Sequence, residues 1–462
     1  MEKNTFFRIG FSVLFLILIF LSLWKGINEA FTAVLIVWFG VVYYCFRDLP
    51  KHFTLFSFMI TFFTFLLGRD ATYLFLGARS FRIISDESAS THAYWSILVS
   101  LIFVFLAYYF TRASSLIRIR EIQAQPSIDY IVAVRAVAKY SFYFTYIFLI
   151  IALIYQVRYV MNVGYLESYS SLEGGAGTPN FVSRLSSFSP FLFYIFLGTK
   201  PSKKESFWPI LLYFVYGIST LLTGQRFPVI AVLLVLMNYY VFRNREEKWI
   251  EKWYITAILI SIPLVLSGLF LMDYIRLSKV VESVNFFDSI FNFFAVQGGS
   301  INVIKYAYLY QDSLADTPFY SFNSIRSNIL NINEFSGNTV QHALYGSSMA
   351  HRMSYIIYGE YAYIHGRGSG SSYIAELFHD FGYFGIAIGS MFYGYLIKKI
   401  SLMKFNHFFK NAFQLAMLSP LFLAPRGTFD SVIGQPFKRS NLFVLFMVFI
   451  VAKILSDRSR KI

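Results

Sequence analysis

The hydrophobic and polar positions of this chain come in long blocks rather than in alternation. Apolar runs of 15 to 20 residues follow one another, separated by short charged connections. Runs of that length are the signature of membrane-crossing helices. A membrane β-barrel shows instead short segments of alternating polarity, and these runs do not alternate. The pattern predicts spans at about 7–23, 30–46, 53–68, 93–110, 141–158, 183–199, 207–222, 228–242, 253–272, 372–397, 408–424 and 441–455. That makes an all-α polytopic membrane protein of about 12 transmembrane helices. Pro190 and Pro420 interrupt two of the runs, which neighbouring helices can tolerate by satisfying the freed carbonyls. The longest polar break, residues 273–370, lies between spans nine and ten. The chain therefore reads as one integral membrane domain, 1–462, carrying a single long loop with interfacial helices. Within that loop, Val280–Val296 is apolar with a few acids and reads as a helix on the outer membrane surface.

Composition agrees with the pattern. The chain is 56% hydrophobic, 20% aromatic and only 14% charged, against about a quarter charged in soluble domains. Cys45 is the only cysteine, so no disulfide framework or thiolate metal site can form within one chain. Lys3 and Arg8 precede the first run like a secretory signal, but no small-residue cleavage site follows, so the run reads as an uncleaved span. Residues 112–140, with four arginines among apolar positions, read as an interfacial amphipathic helix on the inner side.

Charge sets the orientation. With the N-terminus inside, 24 of the 40 basic residues fall in inner connections, and the linkers 200–205, 243–252 and 398–410 are especially basic. The positive-inside rule then puts both termini in the cytoplasm and 273–370 outside. Of the 16 outer basic residues 12 are arginine, whereas 14 of the 24 inner ones are lysine. Topology needs only positive charge; arginine adds a planar fork that grips phosphate or carboxylate. The outer face thus looks built to hold an anion.

Candidate chemistry clusters at the outer membrane edge. Arg226 stands in the tight turn Thr223–Pro228, beside Gly224 and ahead of a helix start, an arrangement that suits an anion. It can equally snorkel to the interface. Arg276 follows Asp273 where span nine ends, and either neutralises that acid or faces the same cavity as Arg226. The loop closes through Gly366-Arg367-Gly368-Ser369-Gly370, a hinge leading into Tyr373–Gly382. There Glu376, His379 and Asp380 share one helix face. Acids in a first turn often only complement the helix dipole; here the alternative is a general base beside a bound anion. Arg426 and Asp430 lie just beyond a late span, as Arg226 does. No HExxH, close histidine pair or Asp-x-Asp is present, so no metal site and no cofactor is expected.

Four stretches carry a family resemblance: LLTGQRFPVIA at 221–231, DYIR at 273–276, GSGSSYIAELFHDFG at 368–382 and APRGTFDS at 424–431. Together they are similar to the Wzy family of O-antigen, capsule and common-antigen repeat-unit polymerases. Over the first 200 residues only the hydropathy profile agrees. The resemblance implies a GT-C-like glycosyltransferase, metal-independent and inverting, in the bacterial cytoplasmic membrane. It implies transfer of a growing glycan from undecaprenyl diphosphate to a second lipid-linked repeat unit. On the matching positions, Arg226, Arg276 and Arg426, joined by Arg367, would bind the diphosphate. Glu376, then His379 or Asp430, would activate the acceptor hydroxyl. The partners implied are undecaprenyl-diphosphate-linked oligosaccharides, the bilayer, a chain-length regulator and a flippase, with no nucleic acid. A lipid-linked oligosaccharide flippase or transporter is the competing reading, but it calls for mid-span ionisable residues and repeat symmetry, of which there is little. An O-antigen ligase would use the same fold.

Overall fold

The computed structural model describes residues 2–24, 28–76, 86–112, 127–165, 167–170, 176–225, 227–245, 286–314, 318–332, 335, 337–405 and 407–459. Among these every regular element is helical. α1 (Glu2–Trp24) and α2 (Glu29–Cys45) open the chain, and Asn28 caps α2 by accepting from the Ala30 N–H. α3 (Leu49–Phe62), capped by Asp48, continues through a π-helical turn, Phe63–Leu67, into α4 (Gly68–Leu76). α5 (Glu87–Phe110), capped by Asp86, is followed by α6 (Ile128–Val163) and α7 (Asn180–Gly198). α8 (Lys203–Ser219) starts in a capping box between Ser202 and Glu205, and α9 is Phe227–Asn244.

The loop region holds α10 (Phe286–Gln297), α11 (Ile301–Leu309), α12 (Val340–Tyr345) and α13 (Met349–Ile364). The chain ends with α14 (Tyr373–Ser401), α15 (Phe408–Leu423) and α16 (Arg439–Ser459).

Seven helices among the described residues are long and apolar enough to cross a membrane, which makes this a multi-pass α-helical membrane protein. α2 is apolar but has 17 residues. The twelve-span expectation is finer than this, and its ninth span, 253–272, lies outside the described residues. Two local expectations need correction. Residues 128–140 do not form a separate interfacial helix but open the 36-residue α6. The reason is a stripe of buried residues, Val134, Ala138, Phe142, Thr145 and Leu149, that runs unbroken across the expected boundary. Arg135 caps the end of α7, donating to the Thr199 carbonyl at 3.0 Å. The described part of the expected surface helix, α10, is not simply laid on the bilayer: Phe293 and Ala295 are buried, and it packs on α4.

Helix contacts are tightened by small residues. α14 crosses α5 where Gly394 meets the Val104 carbonyl; a Cβ there would stand 2.2 Å from that oxygen. Nearby, Ser390 donates to Ser100, which also bonds the buried Tyr373 hydroxyl. α14 is one helix only in outline, because Gly382 has φ 62° and ψ −154° and bends it.

Candidate functional site

α3 and α4 end at the external side of the predicted topology, and there stands Arg69, only 7% exposed. A guanidinium buried at a bilayer edge is costly unless something neutralises it. Its Nε–H donates to the Ala295 carbonyl of α10 at 2.7 Å. Its Nη1 is buried with no hydrogen-bond partner. Asp70, Tyr306 and Tyr358 are its electrostatic neighbours, and Asp70 itself accepts from the Tyr94 hydroxyl at 2.9 Å. The turn after α10 presses on this arginine. A Cβ on Gly298 would lie 2.2 Å from the Arg69 backbone nitrogen, and one on Gly299 would lie 2.8 Å from Nη2. Two glycines therefore permit an approach no other residue allows.

Arg426 joins the same place. Its Nη1 donates to Gln297 Oε1 at 2.7 Å, one residue before Gly298, and its guanidinium lies 5.9 Å from the Phe65 ring centre, one turn before Arg69. Arg367 is exposed and stacks on Tyr358, 4.8 Å from the ring centre. Three guanidiniums are thus linked through shared neighbours: Arg69 and Arg367 by Tyr358, Arg69 and Arg426 by the Gln297–Gly299 turn. Arg226 and Arg276 lie outside the described residues. Beside Arg226, Gly224 has φ +80° and its Cα faces Tyr165, while Gln225 donates to the Tyr169 hydroxyl.

The acids expected to act as bases form a different pattern. Glu376 is fully buried; one carboxylate oxygen accepts from the Ser371 hydroxyl at 2.6 Å, the other from the Phe429 N–H at 2.8 Å. Asp430, 2% exposed, accepts from the Ser324 and Ile325 N–H groups at 3.0 and 2.6 Å. Asp380 accepts from the Tyr320 and Ser321 N–H groups and from His379 Nδ1. The other ring nitrogen of His379 faces the Leu314 carbonyl at 3.0 Å. Burial raises the Asp430 carboxyl to about 6, against the pull of its backbone donors.

The structure also pairs two histidines that are nine positions apart. His342 and His351 stack with ring centres 3.7 Å apart. Nδ1 of His342 faces the Gly337 carbonyl, and Nδ1 of His351 faces the Tyr363 hydroxyl. Among the described residues no group of three or more His, Cys, Asp or Glu is arranged to hold a metal ion.

Arg69 is the residue that sequence reasoning passed over. In sequence it reads only as one outer charge among sixteen, because the third apolar run ends at Gly68, just before it. Its signal was there: an arginine followed by an aspartate directly after Leu66-Leu67-Gly68, where hydropathy alone places the edge of hydrocarbon. What could not be read was that its partners lie 226 residues away.

A family model described as O-antigen polysaccharide polymerase Wzy matches residues 5–459. No curated protein and no solved structure matches the chain.

Proposed function

Since the chain belongs to the O-antigen polysaccharide polymerase Wzy family, we propose that it joins undecaprenyl-diphosphate-linked repeat units on the outer face of the bacterial cytoplasmic membrane, with both termini in the cytoplasm. The observation that carries the reading furthest is the buried, incompletely bonded Arg69 tied to Arg426 and Arg367. The acceptor hydroxyl oxygen bonds to the anomeric carbon of the growing glycan as that carbon's bond to the diphosphate oxygen breaks, with inversion. The departing lipid diphosphate gains negative charge, and arginines fixed in a dry setting stabilise it more than in water. We assign Arg69, Arg426 and Arg367 to that leaving group; Arg226 and Arg276, outside the described residues, are added on the family resemblance alone.

The hydroxyl proton passes to Asp430 in this reading. Its carboxyl titrates near 6, and a carboxylate holding two N–H donors keeps further acceptor positions. The choice of Asp430 rests on a carboxyl titrating near 6, in the range a general base needs; Glu376, held by Ser371 and the Phe429 N–H, and His379, held by Asp380 and the Leu314 carbonyl, are assigned positioning roles.

The direct test is to give the purified protein one lipid-linked repeat unit without added metal and resolve the products on a gel. A ladder is expected. Movement of intact substrate across liposomes with no ladder establishes the flippase alternative, and transfer to a different acceptor without a ladder establishes the ligase.

A further inference from the structure

On the other side of α11 from the arginines lies a groove of about 640 Å³, lined by Glu87, Ser88, Thr91, His92 and Trp95 of α5, Tyr308 of α11, and Phe378 and Tyr383 of α14. That volume falls within the range of small-molecule sites, roughly 300–1,000 Å³. Its floor is aromatic. His92 lies flat on Tyr308 with ring centres 4.6 Å apart and a 17° tilt, and meets Phe378 at 4.2 Å. The ring is fixed by hydrogen bonds, Nδ1 to the Tyr383 hydroxyl at 2.9 Å and Nε2 to Ser96 at 3.3 Å. Trp95, half exposed, offers a free face beside them.

We propose that this groove seats the saccharide portion of a lipid-linked repeat unit. A pyranose has apolar C–H faces and a rim of hydroxyls, so it needs flat rings on one side and a few polar groups at the edge. Here the rings are Trp95, Tyr308 and Phe378, and the edge is Glu87, Ser88 and Thr91. A groove for a lipid tail would have no reason to place a carboxylate and two hydroxyls at its rim. Position supports the same occupant. Asp86 and Glu87 mark the first turn of α5 at the expected outer water boundary, and both are exposed. Tyr306 and Tyr308 stand two positions apart on α11, so one turns to Arg69 and the other to the groove. The two sites are therefore about one helix diameter apart, roughly 10 Å, a span that a short glycan held at one end by its diphosphate can bridge.

The inference rests on the polymerase reading, and the experiment separates the two. The free repeat-unit oligosaccharide, released from its lipid, is titrated against the purified full chain by saturation-transfer NMR, alongside a lipid diphosphate bearing no sugar. Trp95→Ala and Tyr308→Ala should each weaken oligosaccharide binding at least tenfold, leave the sugar-free lipid diphosphate unaffected, and shorten the product ladder. Trp95→Phe should restore most of the binding. Unchanged oligosaccharide affinity in both alanine variants overturns the proposal, as does a loss confined to the lipid diphosphate, which would make the groove a lipid path. Oligosaccharide binding through Trp95 in a wild-type protein that builds no ladder would uphold the groove and remove the polymerase reading instead.

Discussion

At the scale of single residues, the sharpest claim concerns Arg69. Its fork serves the Ala295 carbonyl with Nε and leaves Nη1 over. Lysine keeps the charge but has no fixed fork to divide between a carbonyl and an anion. Arg69→Lys should therefore lower single-turnover transfer about 10²–10³-fold, the usual effect of deleting one charge-stabilising donor, with unchanged expression and melting temperature. Wild-type turnover in that variant removes Arg69 from the site. The acids split in a second measurement. With Asp430 as base, the transfer rate should fall as pH drops through about 6, where its carboxyl takes up a proton. Asp430→Asn should flatten that limb and lower the rate, whereas Glu376→Gln, which keeps an oxygen for the Phe429 N–H, should leave the pH profile in place. A Glu376→Gln variant that loses the limb makes Glu376 the base. Of these residues, the sequence singles out Arg426, Arg367, Glu376, His379 and Asp430 at its predicted outer membrane edge. The partners far along the chain are not legible there, such as Gln297 for Arg426, and those of Asp430 are backbone N–H groups, which leave no mark on a residue string.

Elements were more legible than contacts. Hydropathy placed α2 and α5 within a few residues at their C-terminal ends, since a run of that length has no other stable state in a bilayer. It failed where a helix outlasts its own hydrophobic run: α6 extends inward past the apolar stretch on the strength of the Val134–Ala138 stripe. The bend in α14 was likewise visible only as one glycine among several. Packing yields a prediction here. Gly394→Ala drives a methyl group against the Val104 carbonyl, and overpacking of that kind costs about 1–3 kcal/mol. The melting temperature in detergent should drop by several degrees, while Gly40→Ala, with nothing within 4 Å of the added carbon, should not change it. The junction of α12 and α13 gives a pH prediction. Burial, assisted by His342, lowers the His351 imidazole to about 4. The unfolded ring takes up its proton near 6.5, the folded one only near 4, so the stability at this junction is complete above pH 6.5 and is lost as pH falls toward 4. Hydrogen exchange across 340–364, corrected for its intrinsic pH dependence, should quicken from pH 7 to 5 in the wild type and not in His351→Phe. Equal pH responses in the two proteins would exclude this histidine.

For the whole molecule, the charge distribution predicts which face meets the outside, and one feature makes the test clean. Cys45 is fully buried, so a cysteine introduced elsewhere is the only accessible thiol. Tyr361→Cys, at a strongly exposed position, should react with a membrane-impermeant maleimide in intact spheroplasts. Lys203→Cys should react only after permeabilisation, and the reverse order would invert the topology. The loop between spans nine and ten reads in sequence as one long external segment with interfacial helices. Its described helices do lean on the membrane helices, α10 on α4 and α11 on α5.

How that loop is fastened has a consequence for substitution. Glu376, Asp380 and Asp430 hold residues 320, 321, 324, 325 and 429 solely by their peptide N–H groups. Any residue except proline presents that group, so proline at any of the five would remove a fastening, while packing constrains the side chains: Tyr320, Ser321 and Ser324 are buried and Phe429 packs on Phe392 and Tyr393.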